Sequence, residues 1–363
     1  MRRTSNQLRL LVAVKNNSSS NLQTESDEKY KRMKGVYSEC GFEVSLATVN
    51  DLESLELVTA QFMPDLVLCG IDHLPSKISK NEQDKAEQHN VHRWFEGHAI
   101  NYIGSDPATI ERVLSKVSLK QVWKGKGIQT PVFGLVLESA TANERQEVIE
   151  ELVALDKFPY ILKPNNLGNS LGIDEKSVVW NGRQLSEALD RLLEFERGDI
   201  LVEHYLGVYQ DFEEVTCAMI EGPKGMVLMP CRLSLAQPGV YPIITTSDKD
   251  NHRTVLTRLD AEKTRAFLPF AHQAFSVSGV RDYARGDFIY ANGVFWAIEI
   301  NGQPMIPDRW FENASSLNGL SESQYLVGIV AAGYRRLRAQ GLIDVDFPQD
   351  AKTLLQGTAL ACQ

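Results

Sequence analysis

Four side chains in the C-terminal third are of the types that hold a metal-carried anion: Arg285, Asp287, Glu299 and Asn301. In Ala284–Tyr290 the odd positions Arg285 and Asp287 are charged while Phe288 and Tyr290 are bulky; in Val294–Ile300 the even positions Trp296, Ile298 and Ile300 are apolar and Glu299 is not. Side chains alternate faces along a strand, so each segment reads as a strand with one wet and one dry face. An odd loop, Ala291-Asn292-Gly293, puts both dry faces on one side of a hairpin, whereas a two-residue Asn-Gly turn does not. The four polar groups then share a surface. Two carboxylates, an amide oxygen and a guanidinium suit Mg²⁺ that carries phosphate, with the arginine neutralising developing charge. A solvated sheet face with an Arg–Asp pair gives the same pattern.

A second segment, Lys163-Pro164-Asn165-Asn166-Leu167-Gly168-Asn169-Ser170-Leu171-Gly172, follows the apolar run Pro159–Leu162. Its backbone N–H groups and the Ser170 hydroxyl can lie on phosphate oxygens while Lys163 supplies a point charge. No G-x-x-x-x-G-K-[ST] loop occurs anywhere. Gly168–Gly172 also fits the G-x-S-x-G elbow of serine hydrolases, with Ser170 as nucleophile. An elbow needs a strand running into the first glycine and a helix starting after the serine, and Pro164-Asn165-Asn166 breaks the strand early. A structural glycine-rich turn is the third reading. In Leu201–Leu206, Glu203 and the Tyr205-Leu206 backbone can read an adenine edge, and Glu214 can hold ribose hydroxyls. Surface carboxylates at strand ends explain these acids equally well. Lys116 is an ordinary helix-surface lysine unless the fold brings it to a nucleotide.

These groups must be positioned by a chain of 363 residues, enough for two or three folding units. With 43% hydrophobic and 23% charged residues the composition is globular, and a net charge of −9 offers no field to draw it to nucleic acid or anionic lipid. Cys40, Cys69, Cys217, Cys231 and Cys362 are odd in number and far apart, which argues against a disulfide framework and for a reducing, cytoplasmic setting. Arg2, Arg3 and Arg9 precede only the short apolar run Leu10–Val14, so neither a secretory core nor a membrane span is expected.

The first hundred residues alternate strand and helix signals, predicting a parallel α/β unit: Leu8–Val14, Glu25–Cys40, Glu43–Val49, Leu52–Gln61 and Asp65–Gly70. Ser76–Asn90 reads as a mobile loop, followed by helix Val91–His98 and strand Asn101–Ile103. The middle segment predicts one helix from Pro107 to Lys126, strand Val132–Leu137, helix Asn143–Ala154, strand Tyr160–Lys163 and helix Arg183–Glu196. Beyond residue 200 strands dominate (Ile200–His204, Val215–Ile220, Met226–Leu233, Tyr283–Tyr290, Val294–Ile300), with helices Ala261–Ser278 and Ser323–Ala339.

Taken in order, Tyr102-Ile103-Gly104-Ser105, Lys116, Gly127-Ile128-Gln129-Thr130-Pro131, Lys163-Pro164 with Gly168–Gly172, Glu203, Glu214, Arg285-Gly286-Asp287 and Glu299-Ile300-Asn301-x-x-Pro304 resemble the D-alanine–D-alanine ligase branch of the ATP-grasp superfamily over about residues 100–320. The resemblance implies an ATP-grasp fold of mixed α/β and α+β class: an N-terminal Rossmann-like α/β domain (1–104), a small central α+β lobe (105–199) and a larger C-terminal α+β lobe (200–363). It implies ATP clasped between two lobes, with Lys116, Lys163 and Ser170 at the phosphates. Glu203, Tyr205 and Leu206 would lie at adenine and Glu214 at ribose. Asp287, Glu299 and Asn301 would hold two Mg²⁺ ions, Mn²⁺ being the alternative, and Arg285 would face the reacting carbonyl. The Gly168–Gly172 loop and part of Gln237–His252 would close as a lid. Implied partners are small-molecule substrates and a second copy in a homodimer, with no nucleic acid and no membrane.

The chain departs from the family where the acyl donor is held. The family's Gly-Gly-x-Ser-x-Glu after the first strand is replaced by Lys15-Asn16-Asn17-Ser18-Ser19-Ser20, and its His-Gly-x-x-Gly-Glu after the third by Gly70-Ile71-Asp72-His73-Leu74-Pro75. The lid's Ser-Ser becomes Asn169-Ser170, a Lys-Tyr pair in the central loop is missing, and Met305 replaces a glycine after Pro304. An insertion, Asp308–Glu312, precedes Ser315-Ser316-Leu317, whose Ser316 and Leu317 resemble the site of the second substrate's carboxylate. The expected activity is therefore amide formation through an acyl phosphate with substrates other than two D-alanines, in a specialised biosynthetic pathway. True D-alanyl-D-alanine synthesis ranks second, ahead of a Ser170 hydrolase or a non-catalytic nucleotide-binding protein.

Overall fold

The computed structural model describes residues 7–15, 23–77, 87–195, 198–236 and 241–361. Cys362 and the departure at Asn16–Ser20 lie outside these. The other four cysteines are free and buried.

Strands β1 (Arg9–Val14), β2 (Glu43–Thr48) and β3 (Leu66–Cys69) alternate with helices α1 (Gln23–Glu39) and α2 (Leu52–Phe62). β1 is central, with β2 and β3 parallel to it on either side. Such a strand is covered on both faces, which is why Leu10–Val14 is an unbroken apolar run. The expected strand Asn101–Ile103 is reduced to one bridge from Tyr102 to Val67. The expected loop Ser76–Asn90 is not all loop. Its C-terminal end is strand β5 (Gln88–Asn90), paired antiparallel with β4 (His73–Pro75), and residues 78–86 lie outside those described. Helix α3 (Val91–Gly97) follows, capped by the Asn90 side chain.

The long helix expected from Pro107 is two, α4 (Pro107–Leu114) and α5 (Lys116–Gly125). At the break Ser115 is extended (φ −87°, ψ 105°) and caps α5, accepting from the Ser118 N–H. Buried Asn165 completes the new N-terminus: its Oδ1 accepts from the Val117 N–H at 2.9 Å and its carbonyl from the Lys116 N–H at 3.3 Å. Next come β6 (Phe133–Val136), α6 (Ala142–Ala154), β7 (Tyr160–Pro164), β8 (Val178–Val179), α7 (Gly182–Phe195) and β9 (Ile200–His204). They form an antiparallel sheet ordered β6-β9-β7-β8, on which α6 and α7 bury Leu152, Leu185 and Leu189. β9, placed in the C-terminal lobe by a boundary at 199, thus pairs in this central sheet.

The largest sheet is antiparallel, ordered β12-β11-β10-β13-β14. It is built from β10 (Glu213–Gly222), β11 (Gly225–Leu235), α8 (Thr246–Asp250), β12 (Thr254–Arg258), α9 (Ala261–Ser278), β13 (Tyr283–Ala291) and β14 (Val294–Asn301). Phe267 and Phe275 of α9 share its core with Leu119 and Trp123 of α5, so α5 packs with this sheet while its Lys120 pairs with Glu203 of the central one. Helices α10 (Arg309–Leu317), α11 (Glu322–Ala339) and α12 (Gln349–Leu355) close the chain. α11 is buried nearly all round, wedged in one core with Leu10, Val12 and Leu68 of the first sheet and Ala218 and Ile220 of the last. Gln303 stitches the junction, its amide donating to Cys69 O at 2.6 Å and Ile103 O at 3.1 Å. A Cβ on neighbouring Gly104 (φ +118°) would collide with that Gln303 side chain.

The β13–β14 hairpin corrects the expected odd loop. Its turn is the two-residue Asn292-Gly293, both at positive φ (53° and 76°), with Ala291 facing Val294. Asp211 accepts from both turn N–H groups at 2.8 Å. Pairing continues through Tyr290–Phe295 and Phe288–Ala297. A β-bulge then makes Ile298 an extra residue, and beyond it Asp287 faces Glu299 and Arg285 faces Asn301. The dry residues of β14 are therefore Phe295, Ala297 and Ile300, not Trp296 and Ile298.

Candidate active site

The central and large sheets face each other across a cleft with about 960 Å³ of empty space, its open mouth included. Its walls gather Lys116, Lys163, Ser170, Glu203, Tyr205, Leu206, Glu214, Asp287 and Glu299 from seven separate segments. Arg285 adjoins them, its Nε 3.6 Å from Asp287 Oδ1. Asn301 faces Arg285 across the hairpin but is exposed, its Oδ1 accepting from the Gln303 N–H at 3.1 Å. Ser316 is exposed on α10 and Leu317 packs against the large core, so the structure does not bring either to the cleft wall.

Glu203 reaches the cleft from β9 with 2% of its surface exposed. One carboxylate oxygen pairs with Lys163 Nζ on the adjacent strand β7, the other with Lys120 Nζ at 2.8 Å. Lys120, fully buried on α5, also donates to Thr130 Oγ1 at 3.1 Å. Burial opposes ionisation of Glu203, yet the two ammonium groups outweigh it and hold its carboxyl down to about 2. Burial likewise pulls Lys163 down, and Glu203, Glu299 and Glu214 more than offset it, leaving this lysine above its ordinary value and firmly cationic. Both carboxylate oxygens of Glu203 are thus engaged by lysines, and the Tyr205-Leu206 segment lines the cleft beside it. Lys120 escaped the sequence reading. Its signal was the spacing Lys116, Lys120, Trp123, which sets a lysine on the buried stripe of α5.

On the opposing sheet Thr216 donates to Asp287 Oδ1 at 2.8 Å, and Lys116 Nζ lies 3.5 Å from Glu299 Oε2. Burial pushes the Asp287 carboxyl up, against Arg285 and with Glu299 adding to the push. Burial also opposes ionisation of Glu299, but Lys116, Lys163, Lys249 and Arg285 hold it below its ordinary range. Glu214, two residues from Thr216 along β10, is pushed up to about 7 by burial and by Asp287. Among the described residues no three His, Cys, Asp or Glu side chains converge into a metal cage. Two hard carboxylates facing each other suit a cation that brings its remaining oxygens with a phosphate.

Two further cations complete the site. Arg285 Nη1 lies 3.3 Å from Asp308 Oδ2. Lys249 of α8, also missed from the sequence, lines the cleft, its ammonium pulled below the ordinary value by burial. Trp310 lines it too, whereas its neighbour Phe311 is fully buried against Tyr283. Lys249 and Tyr241 arrive separately from the segment after β11, where no Lys-Tyr pair was found; Tyr241 packs against Tyr205 and accepts a hydrogen bond from Trp180 Nε1 at 3.0 Å. Thr246 Oγ1 donates to Asn169 O at 2.8 Å, so α8 touches the Gly168–Gly172 loop. Asn169 and Ser170 are both left-handed (φ +56°), and a turn and a short 3₁₀ segment, Glu175–Ser177, follow. No strand enters Gly168 and no α-helix leaves Ser170, which removes the nucleophile elbow.

Residues 122–331 match the family model for the D-ala D-ala ligase C-terminus. The D-alanine–D-alanine ligase of Marinomonas sp. (strain MWYL1) is 29% identical over 208 residues, 56% of this chain and 59% of that protein. That of Methylacidiphilum infernorum (isolate V4) is 25% identical over 258 residues, 70% of this chain and 77% of that one. The crystal structure of the D-alanine–D-alanine ligase from Bacillus anthracis superimposes with a TM-score of 0.68 at 20% identity, over 92% of this chain and 100% of that one. The same enzyme complexed with ATP gives 0.66 at 19%, with the same coverage. With more than half its length matched to that model and the two-sheet cleft in place, this chain belongs to the D-alanine–D-alanine ligase family of ATP-grasp proteins, ATP-dependent carbon–nitrogen ligases.

Proposed function

We propose that the cleft joins the carboxylate of an amino acid to an amine through an acyl phosphate, and that the pair differs from two D-alanines. Facing Asp287 and Glu299, with Lys116, Lys163 and Lys249 around them, carry this reading. The Tyr205-Leu206 backbone reads adenine, Glu214 holds ribose, and Lys116, Lys163 and the Ser170 loop take the phosphates. Mg²⁺ held by Asp287, Glu299 and Asn301 would neutralise phosphate charge. A carboxylate oxygen attacks the γ-phosphorus, the bond to the β-phosphate oxygen breaks and ADP is released. The amine then attacks the acyl carbon, phosphate departs with the C–O bonding pair, and the amine's proton passes to solvent or phosphate. Arg285 sits beside Asp287, where negative charge develops on the acyl oxygen. The lid, tied to α8 through Thr246 and Asn169, keeps water from the intermediate.

Lys163→Ala should abolish ATP turnover, measured as ADP and phosphate release with a panel of amino acids and amines, while the variant remains folded. Undiminished turnover would sink the assignment. A second reading, D-alanyl-D-alanine synthesis, is favoured by the names of the curated relatives.

A further inference from the structure

Trp310 stands in the cleft wall with 8% of its surface exposed, in the first turn of α10 and within the insertion by which this chain departs from its family's pattern. Two cations lie over its ring: the Arg285 guanidinium carbon at 5.0 Å and Lys249 Nζ at 5.1 Å from the centroid. They arrive from different elements, β13 and the short helix α8. Arg285 has Asp287 and Asp308 beside it. Among the described residues Lys249 makes no ion pair within 4 Å and no side-chain hydrogen bond; Asp287, Glu299 and Glu214 attract its ammonium from farther off, and the indole is the group it lies against. Like charges repel in a partly desolvated wall, and the negative face of an indole attracts both.

We propose that Trp310 is a positioning residue whose ring holds Lys249 and Arg285 together toward Asp287 and Glu299, where phosphoryl charge is transferred. The proposal rests on the ligase reading above. A displacement of a reacting or stabilising group by about 1 Å can cost about 100-fold in rate, so an anchor of this kind acts on kcat.

Trp310→Leu keeps apolar bulk and removes the ring; Trp310→Phe keeps a ring. Trp310→Leu should lower kcat about 10- to 100-fold with KM for ATP changed by less than about 3-fold, and Trp310→Phe should recover most of the loss. In parallel, lysines are acylated with acetic anhydride in the nucleotide-free full chain and Lys249 is read by mass spectrometry. Its labelling should rise several-fold in Trp310→Leu and stay near native in Trp310→Phe. Equal losses in the two variants, an unchanged kcat in Trp310→Leu, or unchanged labelling of Lys249 would each overturn the proposal. Absence of ATP turnover by the native chain with every substrate pair defeats the ligase reading instead, and the labelling then decides on Trp310 alone.

Discussion

A glutamate with 2% exposure survives as a charge only because two lysines converge on it from different elements. A buried triad of this kind is costly to break from one side, since the remaining charge loses its partner and cannot return to water. Lys120→Met should therefore cost about 3–5 kcal/mol in urea unfolding, and adding Glu203→Gln should return part of it, because an uncharged amide no longer needs the missing cation. Simple addition of the two losses would show that Lys120 acts on something other than Glu203. Glu214 gives a pH signature of the opposite sign. Its carboxyl lies at about 7 against an ordinary 4.5, so its neutral form is favoured by folding, and that contribution is present below 4.5 and lost as pH rises through 7. Glu214→Gln cannot ionise. Relative to native it should gain about 1–3 kcal/mol between pH 4.5 and pH 8 in the absence of nucleotide, at roughly 1.4 kcal/mol for each pK unit. Parallel stability curves for the two proteins across that window would refute the assignment of the charge to Glu214.

Elements were legible where one periodicity ran without interruption. The parallel strands, α9 and the two central helices follow their apolar patterns, whereas two features that aim the site turn on a single residue each. At Ser115 a helical pattern continues on both sides, and the break is fixed by Asn165, 50 positions away, through hydrogen bonds that no local pattern contains. At Ile298 the alternation of β14 slips by one. The two-residue Asn292-Gly293 turn would have put Asp287 and Glu299 on opposite faces of a regular ladder, and the bulge returns them to the same one. Asn-Gly is the stronger hairpin signal, and combined with four polar groups that belong together it demands a bulge in one strand. The Ser115 break sets Lys116 toward Leu167 O and Glu299 and Lys120 toward Glu203 of β9, which makes Asn165 a test of element placement. Asn165→Ala leaves the buried Val117 N–H without its acceptor and should cost about 1–3 kcal/mol. It should also weaken ADP binding, read by calorimetry with Mg²⁺ present, because α5 and β7 lose their shared anchor. Asn165→Asp keeps the acceptor and should lose less; if both variants bind ADP like native, the anchor has no bearing on the nucleotide.

At the scale of the whole molecule, the central and large sheets enclose the cleft, and the parallel sheet meets the large unit elsewhere, through the carboxyl ends of β1 and β3. A small cavity at that junction is lined by Lys15, Gly70, Ile71, Tyr283, Met305 and Ile306. A Cβ on Gly70 would stand 2.8 Å from Met305 Cα, so the segment after Pro304 presses directly on the end of β3. The cavity's lining is the Lys15 end of β1 and a mostly apolar wall, with no carboxylate among the described residues. Of the carboxylates that could replace the family's missing acid, Glu96 accepts from the Tyr102 hydroxyl at 2.9 Å and Asp308 pairs with Arg285. Asp72 is pushed up to about 6 by burial, so it is easily neutralised and is a weak partner for a desolvated ammonium. None of this was visible from spacing alone, because it depends on which side chains of distant segments are already engaged. The cleft keeps its charged walls, while the sequence departs from the family's acidic motifs after the first and third strands, so ATP turnover and substrate choice should separate. In a panel of amino acids and amines read by ADP release and mass spectrometry of products, two D-alanines should give a kcat/KM at least about 10-fold below the best pair, the loss of roughly 1.4 kcal/mol of transition-state stabilisation. A kcat/KM for D-alanyl-D-alanine formation above every other pair would overturn this assignment of the donor end and restore cell-wall dipeptide synthesis as the chain's activity.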